Sequence, residues 1–248
     1  MDSSRNSNSK TMKISADNID IACDEASVYD RLLSLDGKHI LELGCGNAAI
    51  TRDIATAGAG RTITALEVDE IAHQRNLQIT DLPNVTFVLS GAQDIPLEDA
   101  SVDVVFMFKS LHHVPMALMQ QSMQEIWRVL KPAGQVYISE PVFAGDFNEI
   151  LRLFHDEQEV RQAAFDIIKQ SVDEGSFTLV EELFFNAPAH FDSFEDYENN
   201  VIKVTHTEHR LDEKTYDAVK KRFESHLGND GAHFLMPIRV DLLEKVSD

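Results

Sequence analysis

The sequence predicts an α/β fold, a doubly wound and mostly parallel sheet with helices on both faces. Two patterns carry that expectation. Short apolar runs at 38–43, 62–67, 85–89, 102–108 and 135–140 alternate with helix-period segments near 49–57, 70–79 and 116–130, the rhythm of strands joined by crossover helices. Between the first run and the first of those helices lies GCGNAA (Gly44–Ala49), a turn that lets backbone approach a ligand closely. With 248 residues, 43% of them hydrophobic, the chain can bury one sizeable core without covalent staples.

In chain order, residues 1–12 are polar and Ser/Asn-rich and are expected to be disordered. Ile21, Val28, Leu32 and Leu35 recur at roughly helical spacing, which predicts a helix from about Asp17 to Leu35, stopped by Gly37. The alternating strands and helices follow. KPAG (Lys131–Gly134) reads as the turn that ends the third of those helices and launches the fifth strand. Past Pro141 the pattern changes. Charge-rich helical patterning covers 146–174, and Phe177–Phe185 reads as a strand. Ser193–Val204 and Leu211–Leu227 read as helices, Gly228–Gly231 as a tight loop and Leu235–Leu243 as a last strand. No internal repeat occurs. This second half is where substrate specificity is expected.

Only two cysteines occur, Cys23 and Cys45, and neither has ligand spacing, which fits a reducing compartment. No apolar segment follows the N-terminal charges, and the longest purely apolar stretch, Val104–Phe108, is far too short to span a bilayer. A cytoplasmic, soluble protein without membrane association is expected. The net charge of −20, from 42 acidic and 22 basic residues, argues against a nucleic-acid partner. Its main consequence is solubility; a cationic substrate or a basic protein partner is the lesser reading. A homodimer stays open.

Alone, GCGNAA satisfies G-x-G-x-x-G/A, and Glu67 lies at about the right distance onward to meet ribose hydroxyls. A nicotinamide dinucleotide and S-adenosylmethionine (SAM) therefore both remain open at the turn. Glu42, two residues before the first glycine, weighs against the dinucleotide, because a pyrophosphate there would face a carboxylate. SAM brings an ammonium and a sulfonium and no phosphate. The alternative for Glu42 is a solvated strand end. Glu67 ends a strand of Ile63, Ala65 and Leu66 and needs a hydrogen-bond partner, which a ribose diol supplies to both oxygens. Asp69 reads as the cap of the next helix.

Four segments in order resemble a class I SAM-dependent methyltransferase of the small-molecule branch often called methyltransferase type 11. LELGCGNA (41–48) resembles the first SAM motif, and ALEVD (65–69) the ribose-binding strand end. AQDIPLEDASVDVVFMFKSLHHV (92–114) resembles the adenine loop with the fourth strand. WRVLKPAGQVYISEP (127–141) resembles the helix and fifth strand that close the core. The resemblance implies a Rossmann-like, seven-stranded sheet with a helical cap after the fifth strand. One domain would cover 13–248, with a SAM-binding core over 13–141 that includes an N-terminal cap helix. A substrate-side cap would follow over 142–230, and the final strand and C-terminus over 231–248. It also implies that Glu42, Gly44, Cys45 and Gly46 surround the methionine part of SAM. Glu67 would hold the ribose and Val68 would pack on adenine. Gly91, Ala92, Gln93 and Asp94 would reach the adenine edge, with Lys109 and Ser110 near the sulfonium. Two positions depart from the pattern. Ala48 replaces the third glycine, and Gly91 stands where an acidic residue commonly reads the adenine amine, so Gln93 or Asp94 would take over that contact.

Methyl transfer from a sulfonium is an in-line displacement, so alignment and exclusion of water matter most. A base is needed only where the acceptor must lose a proton. The candidates are His112 and His113, which either face the reaction centre or pack and cap the next helix, and Tyr29 on the N-terminal helix, catalytic or merely packed at the surface. Glu140 either binds a cationic acceptor or hydrogen-bonds at a strand end. His206 and His209 flank Glu208 at metal-like spacing without a third ligand, and no metal is expected. Phe147, Phe154, Phe165, Phe184, Phe185 and Met236 read as core; any that line a site imply an acceptor with an apolar body. The fourth strand ends FKSLHH, without the NPPY-like signature of amino-directed nucleic-acid methyltransferases. The expected activity is SAM-dependent methyl transfer to an oxygen or nitrogen of a small molecule, leaving S-adenosylhomocysteine. The alternatives are a protein methyltransferase, a non-catalytic SAM-binding protein and, remotely, an NAD-dependent oxidoreductase.

Overall fold

The computed structural model describes residues 11–204, 209 and 211–247. The five apolar runs become five parallel strands: β1 (His39–Leu43), β2 (Thr62–Glu67), β3 (Val85–Leu89), β4 (Val102–Phe108) and β5 (Leu130–Pro141). The crossovers are α2 (Ala49–Thr56), α3 (Glu70–Asn76) and α4 (Met116–Val129), with α1 (Glu25–Leu32) leading into β1. Beyond β5 come α5 (Asp146–Leu151), α6 (Gln158–Asp173), β6 (Phe177–Phe191), α7 (Phe194–Tyr197), α8 (Glu213–Glu224), β7 (Leu227–Gly228) and β8 (Gly231–Lys245). The sheet order is β3-β2-β1-β4-β5-β8-β6, with β8 antiparallel to both neighbours and the two-residue β7 pairing β8. The seven-strand path is the expected doubly wound architecture, and the short β7 makes the sheet eight-stranded.

Two large cores lie on the two faces. One gathers Leu41, Leu43, Val105, Ile126, Val136, Ile138 and Ile168; the other gathers Ile40, Ile54, Ile63, Phe106, Tyr137 and Val240. Successive residues of β1 and β4 thus feed opposite faces, as period-2 alternation requires. Both faces being covered, those strands read as continuous apolar runs.

Four expectations change. The N-terminal helix spans only Glu25–Leu32, because the Asp24 side chain accepts the Ser27 N–H and fixes the start there. The residues before it run extended along β6, where Asn186 donates to Ile21 O and accepts from Cys23 N, leaving the Ile21 side chain exposed. Residues 1–10 of the tail expected to be disordered lie outside the described residues, whereas Met12 is buried in the first core. KPAG does not separate α4 from β5. The strand starts directly at Leu130, and KPAG bulges out between the pairs Val102–Leu130 and Val104–Gln135, with Ala133 at φ +58°.

The cap is not purely helical, which is the fourth change. β6 and β8 are 15 residues each and run past the end of β5 as a two-stranded ribbon, Asn186–Phe191 against Pro237–Ala232. On that ribbon sit α5, α7, a wide π-type turn at Glu198–Ile202 and α8, around a third core of Ile150, Phe194, Tyr197, Ile202, Val219, Phe223 and Phe234. The expected helix over Ser193–Val204 is therefore a single turn followed by that wider one.

Candidate active site

The carboxyl ends of β1, β2, β3 and β4 converge where the sheet order reverses, the place an open α/β sheet binds its ligand. Gly44 (φ +77°) turns the chain out of β1 so tightly against the exit of β4 that a Cβ there would lie 2.8 Å from Ser110 Cβ. Ser110 Oγ donates to Leu43 O at 2.8 Å and staples the two strand ends. A Cβ on Gly46 (φ +55°) would meet nothing within 4 Å, so the turn opens onto space there. Ala48, at φ +60°, takes the left-handed position that starts α2.

Glu42 is not a solvated strand end. It is 2% exposed, and Thr51 Oγ1 of α2 donates to its Oε2 at 2.6 Å. Burial, with the charge of Glu67 adding, pushes this carboxyl up to about 7 against the pull of the Thr51 hydrogen bond. Glu67 knots the turn to the end of β2: Oε2 accepts from Gly46 N at 2.6 Å, and Oε1 from Val68 N and Asp69 N at 2.8 Å. Asn76 Nδ2 donates to Gly46 O at 2.8 Å and lies 3.5 Å from Cys45 Sγ, whose thiol burial holds far above its usual range. Beside this knot Val68 is 65% exposed, an apolar shelf. Asp69 caps α3 as expected, accepting from Ile71 N and Ala72 N.

After β3, Gly91 and Ala92 are buried, Gln93 is half-buried and Asp94 is exposed. The Gln93 side chain lies over Gly91, with Oε1 2.3 Å from where a Gly91 Cβ would stand. At the end of β4, Lys109 (φ +51°) donates its N–H to Ser139 O at 2.8 Å and its Nζ to Glu25 Oε2 at 2.8 Å. Glu25 Oε1 also accepts from Tyr137 OH.

Lys109 also lines a cavity of about 430 Å³ between the strand ends and the cap. Val142, Phe147, Leu151, Val201, Met236 and Ile238 form apolar walls, so Phe147 and Met236 are partly pocket rather than core. The polar end holds His112, His113, His155, Glu157 and Arg161. His112 is 4% exposed; its Nδ1 lies 2.5 Å from Glu140 Oε2, and Leu111 N donates to Glu140 Oε1 at 2.9 Å. Burial opposes charge on the His112 ring, but Glu140 and Glu157 outweigh it and hold its pKa above the ordinary value. The same contest, won by His112 and Arg239, holds Glu140 below the ordinary range. Behind Glu140, Arg239 Nε donates to Asp241 Oδ2 at 2.8 Å, and burial pushes the Asp241 carboxyl up to about 6.

The structure brings His112 and His113 to one cavity wall and gathers the expected cofactor residues at the adjoining strand ends. Tyr29 goes elsewhere. It is buried on the inner face of α1 against Phe106, Phe108 and Tyr137, with ring centroids 5.6, 5.9 and 6.4 Å away, does not line the cavity, and is not the surface residue of the alternative reading either. Glu140 faces His112 rather than an acceptor. His206 and Glu208 lie outside the described residues; His209 lines the cavity and stacks edge-on with His155, centroids 4.7 Å apart. Sequence reasoning missed Glu157, His155 and Arg161. Their only sequence signal is the start of a helix, and it is the fold of the cap that carries them to His112.

A switch-point site built around two buried carboxyls and a glycine turn, beside a largely apolar cavity, defines a SAM-dependent methyltransferase of class I. The chain belongs to the methyltransferase-domain family, whose sequence profile matches residues 41–138. It is 30% identical over 174 residues to the O-methyltransferase rstn1 of Aspergillus nomiae, covering 66% of this chain and 76% of that protein. It is 32% identical over 127 residues to the sterol 4-C-methyltransferase strm-1 of Caenorhabditis elegans, covering 49% of this chain but only 36% of that one. Among solved structures, a Bacillus halodurans protein superposes with a TM-score of 0.62 at 16% identity, over 90% of this chain and 99% of that one. Among the described residues, no helix is long and apolar enough to cross a membrane.

Proposed function

We propose that this chain methylates an oxygen or nitrogen of a small molecule whose apolar body fills the cavity under the cap. The observation that supports this most directly is the position of Lys109, which follows β4 beside the glycine turn and also lines the cavity, so the two compartments meet there. SAM, when bound, supplies the methyl on a sulfonium. Glu42 holds its ammonium, with Gly44, Cys45 and Gly46 around the methionine part. Glu67 releases Gly46 N to take the ribose, Val68 lies under the adenine, and Lys109 and Ser110 stand beside the sulfonium. Along Gly91–Asp94, Gln93 reads the adenine edge, because its side chain already occupies the space an acid at Gly91 would fill. The acceptor atom faces His112 and His113, and any proton it loses leaves at that end. The reaction takes place in the cytoplasm. The activity in the name of rstn1 agrees with an oxygen acceptor, while that of strm-1 is transfer to carbon.

Three measurements test this. Calorimetry should show SAM and S-adenosylhomocysteine binding and NAD not binding. Glu67→Ala should weaken SAM by about 1–3 kcal/mol through loss of a charged hydrogen-bond acceptor; unchanged affinity in a folded variant removes Glu67 from the site. Radiolabelled methyl from SAM, offered with a cell extract, should enter the small-molecule fraction. Label confined to protein overturns the acceptor class.

A further inference from the structure

We infer that His112, His113 and Glu157 form a binding site for a divalent cation of the zinc type at the polar end of the cavity, with an open position for the acceptor's oxygen. One ligand atom from each residue lies within 4.8 Å of the other two, and His112 Nε2 is 3.7 Å from Glu157 Oε1. Bonds of about 2.0–2.2 Å to nitrogen and oxygen set neighbouring ligand atoms roughly 3–3.6 Å apart. A modest inward movement of these side chains therefore closes the site.

The surroundings already have the form such a site needs. Glu140, itself fixed by Leu111 N, takes Nδ1 of His112, which directs the ring and leaves Nε2 for the cavity. A carboxylate behind a ligating imidazole is the usual outer support of a metal site. Arg161 Nη2 holds Glu157 Oε2 at 2.5 Å, which turns the other oxygen toward the histidines. His155 Nε2 stands 3.0 Å from that same Oε1 and helps to fix its position, outside the three-ligand set. His113 is exposed, giving the ion an entry path. Charge also fits. Glu140 and Glu157 bracket the site, while the two cations nearby are each paired, Lys109 with Glu25 and Arg161 with Glu157 Oε2. Two imidazoles and one carboxylate suit zinc, iron or cobalt rather than magnesium or calcium.

The consequence deepens the methyl-transfer reading and rests on it; the binding itself does not. With the cation on Nε2, an acceptor hydroxyl binds as its anion. Its O–H bond breaks and the proton passes to solvent. The oxygen then forms a bond to the methyl carbon as the carbon–sulfur bond breaks, with its electron pair going to sulfur. The histidines act as ligands, which requires them to be neutral.

The test uses the full chain stripped with a chelator, titrated with Co²⁺ by visible absorption and with Zn²⁺ by calorimetry, without acceptor. One cation per chain is expected. Glu140→Gln should weaken it by about 10–100-fold, and His113→Ala and Glu157→Gln by more. His113 is exposed, so its variant folds whether or not the buried ones do. Replacing His190 and His233, a tilted ring pair on the cap ribbon with centroids 4.5 Å apart, should leave binding unchanged. The inference fails if nothing binds, if binding survives His113→Ala, or if it follows the His190/His233 pair. SAM titrated into the stripped protein is a separate arm: absent SAM binding sinks the methyl-transfer reading and leaves the cation result standing.

Discussion

Glu42 allows the cofactor assignment to be tested through pH. Its carboxyl is buried beneath the glycine turn and pushed up from 4.5 to about 7. Only the carboxylate attracts an ammonium, so SAM affinity should follow the ionised fraction, with apparent Kd equal to the intrinsic value divided by that fraction. Below about pH 6 this predicts roughly tenfold weaker binding per pH unit, flattening above about 7. Binding should release a proton in that range, visible as a buffer-dependent calorimetric enthalpy. Thr51→Val removes the 2.6 Å hydrogen bond to the carboxylate. A hydrogen bond to a charged group contributes about 1.5–3 kcal/mol, so the midpoint should rise by about one to two pH units. Glu42→Gln should bind more weakly with no such dependence, and it reports any titration of SAM itself. Wild-type affinity that stays constant from pH 5 to 7 would refute the reasoning. Stability moves the opposite way. Because the folded pKa lies above the unfolded one, this group's contribution is full below about pH 4.5 and is lost as pH rises through about 7. The cofactor-free protein should lose on the order of 3 kcal/mol from this residue across that window.

Two further outcomes follow from packing. Gly44→Ala should destabilise the fold by more than the about 1–2 kcal/mol that a left-handed backbone costs a non-glycine residue, because its Cβ also meets Ser110 at 2.8 Å; an unchanged denaturation midpoint would contradict this geometry. Tyr29→Phe should keep methyl transfer, and Tyr29→Ala should cost about 3–5 kcal/mol, as truncation of a buried aromatic does. Loss of turnover in a stable Tyr29→Phe protein would return that phenol to the reaction centre.

Much of the fold was legible because burial on both faces leaves a direct trace in the chain. β1 to β4 appear as apolar runs with nearly their final bounds. Where one side of a strand stays wet, the trace fades: the NAPAHF end of β6 carries Asn186, Pro188 and His190 and did not read as strand, yet it pairs with β8 throughout. α1 was overextended because Ile21 keeps helical spacing while its backbone pairs with Asn186 instead. In the site, Glu42, the glycines and Glu67 were visible as an acid–turn–acid pattern within 26 residues. Glu157 was not, since a glutamate at a helix start is ordinary until a cap folds it onto a histidine.

The sequence by itself determined the strand–helix rhythm, the glycine turn and the carboxyls beside it, because backbone conformation and local burial are written in residue type and spacing. Only the tertiary structure decided that Glu42 is a buried carboxyl rather than a solvated strand end, that Tyr29 belongs to the core, and that His112 sits between Glu140 and Glu157. Those outcomes depend on desolvation and on contacts between residues far apart in the chain, and neither leaves a period in the sequence.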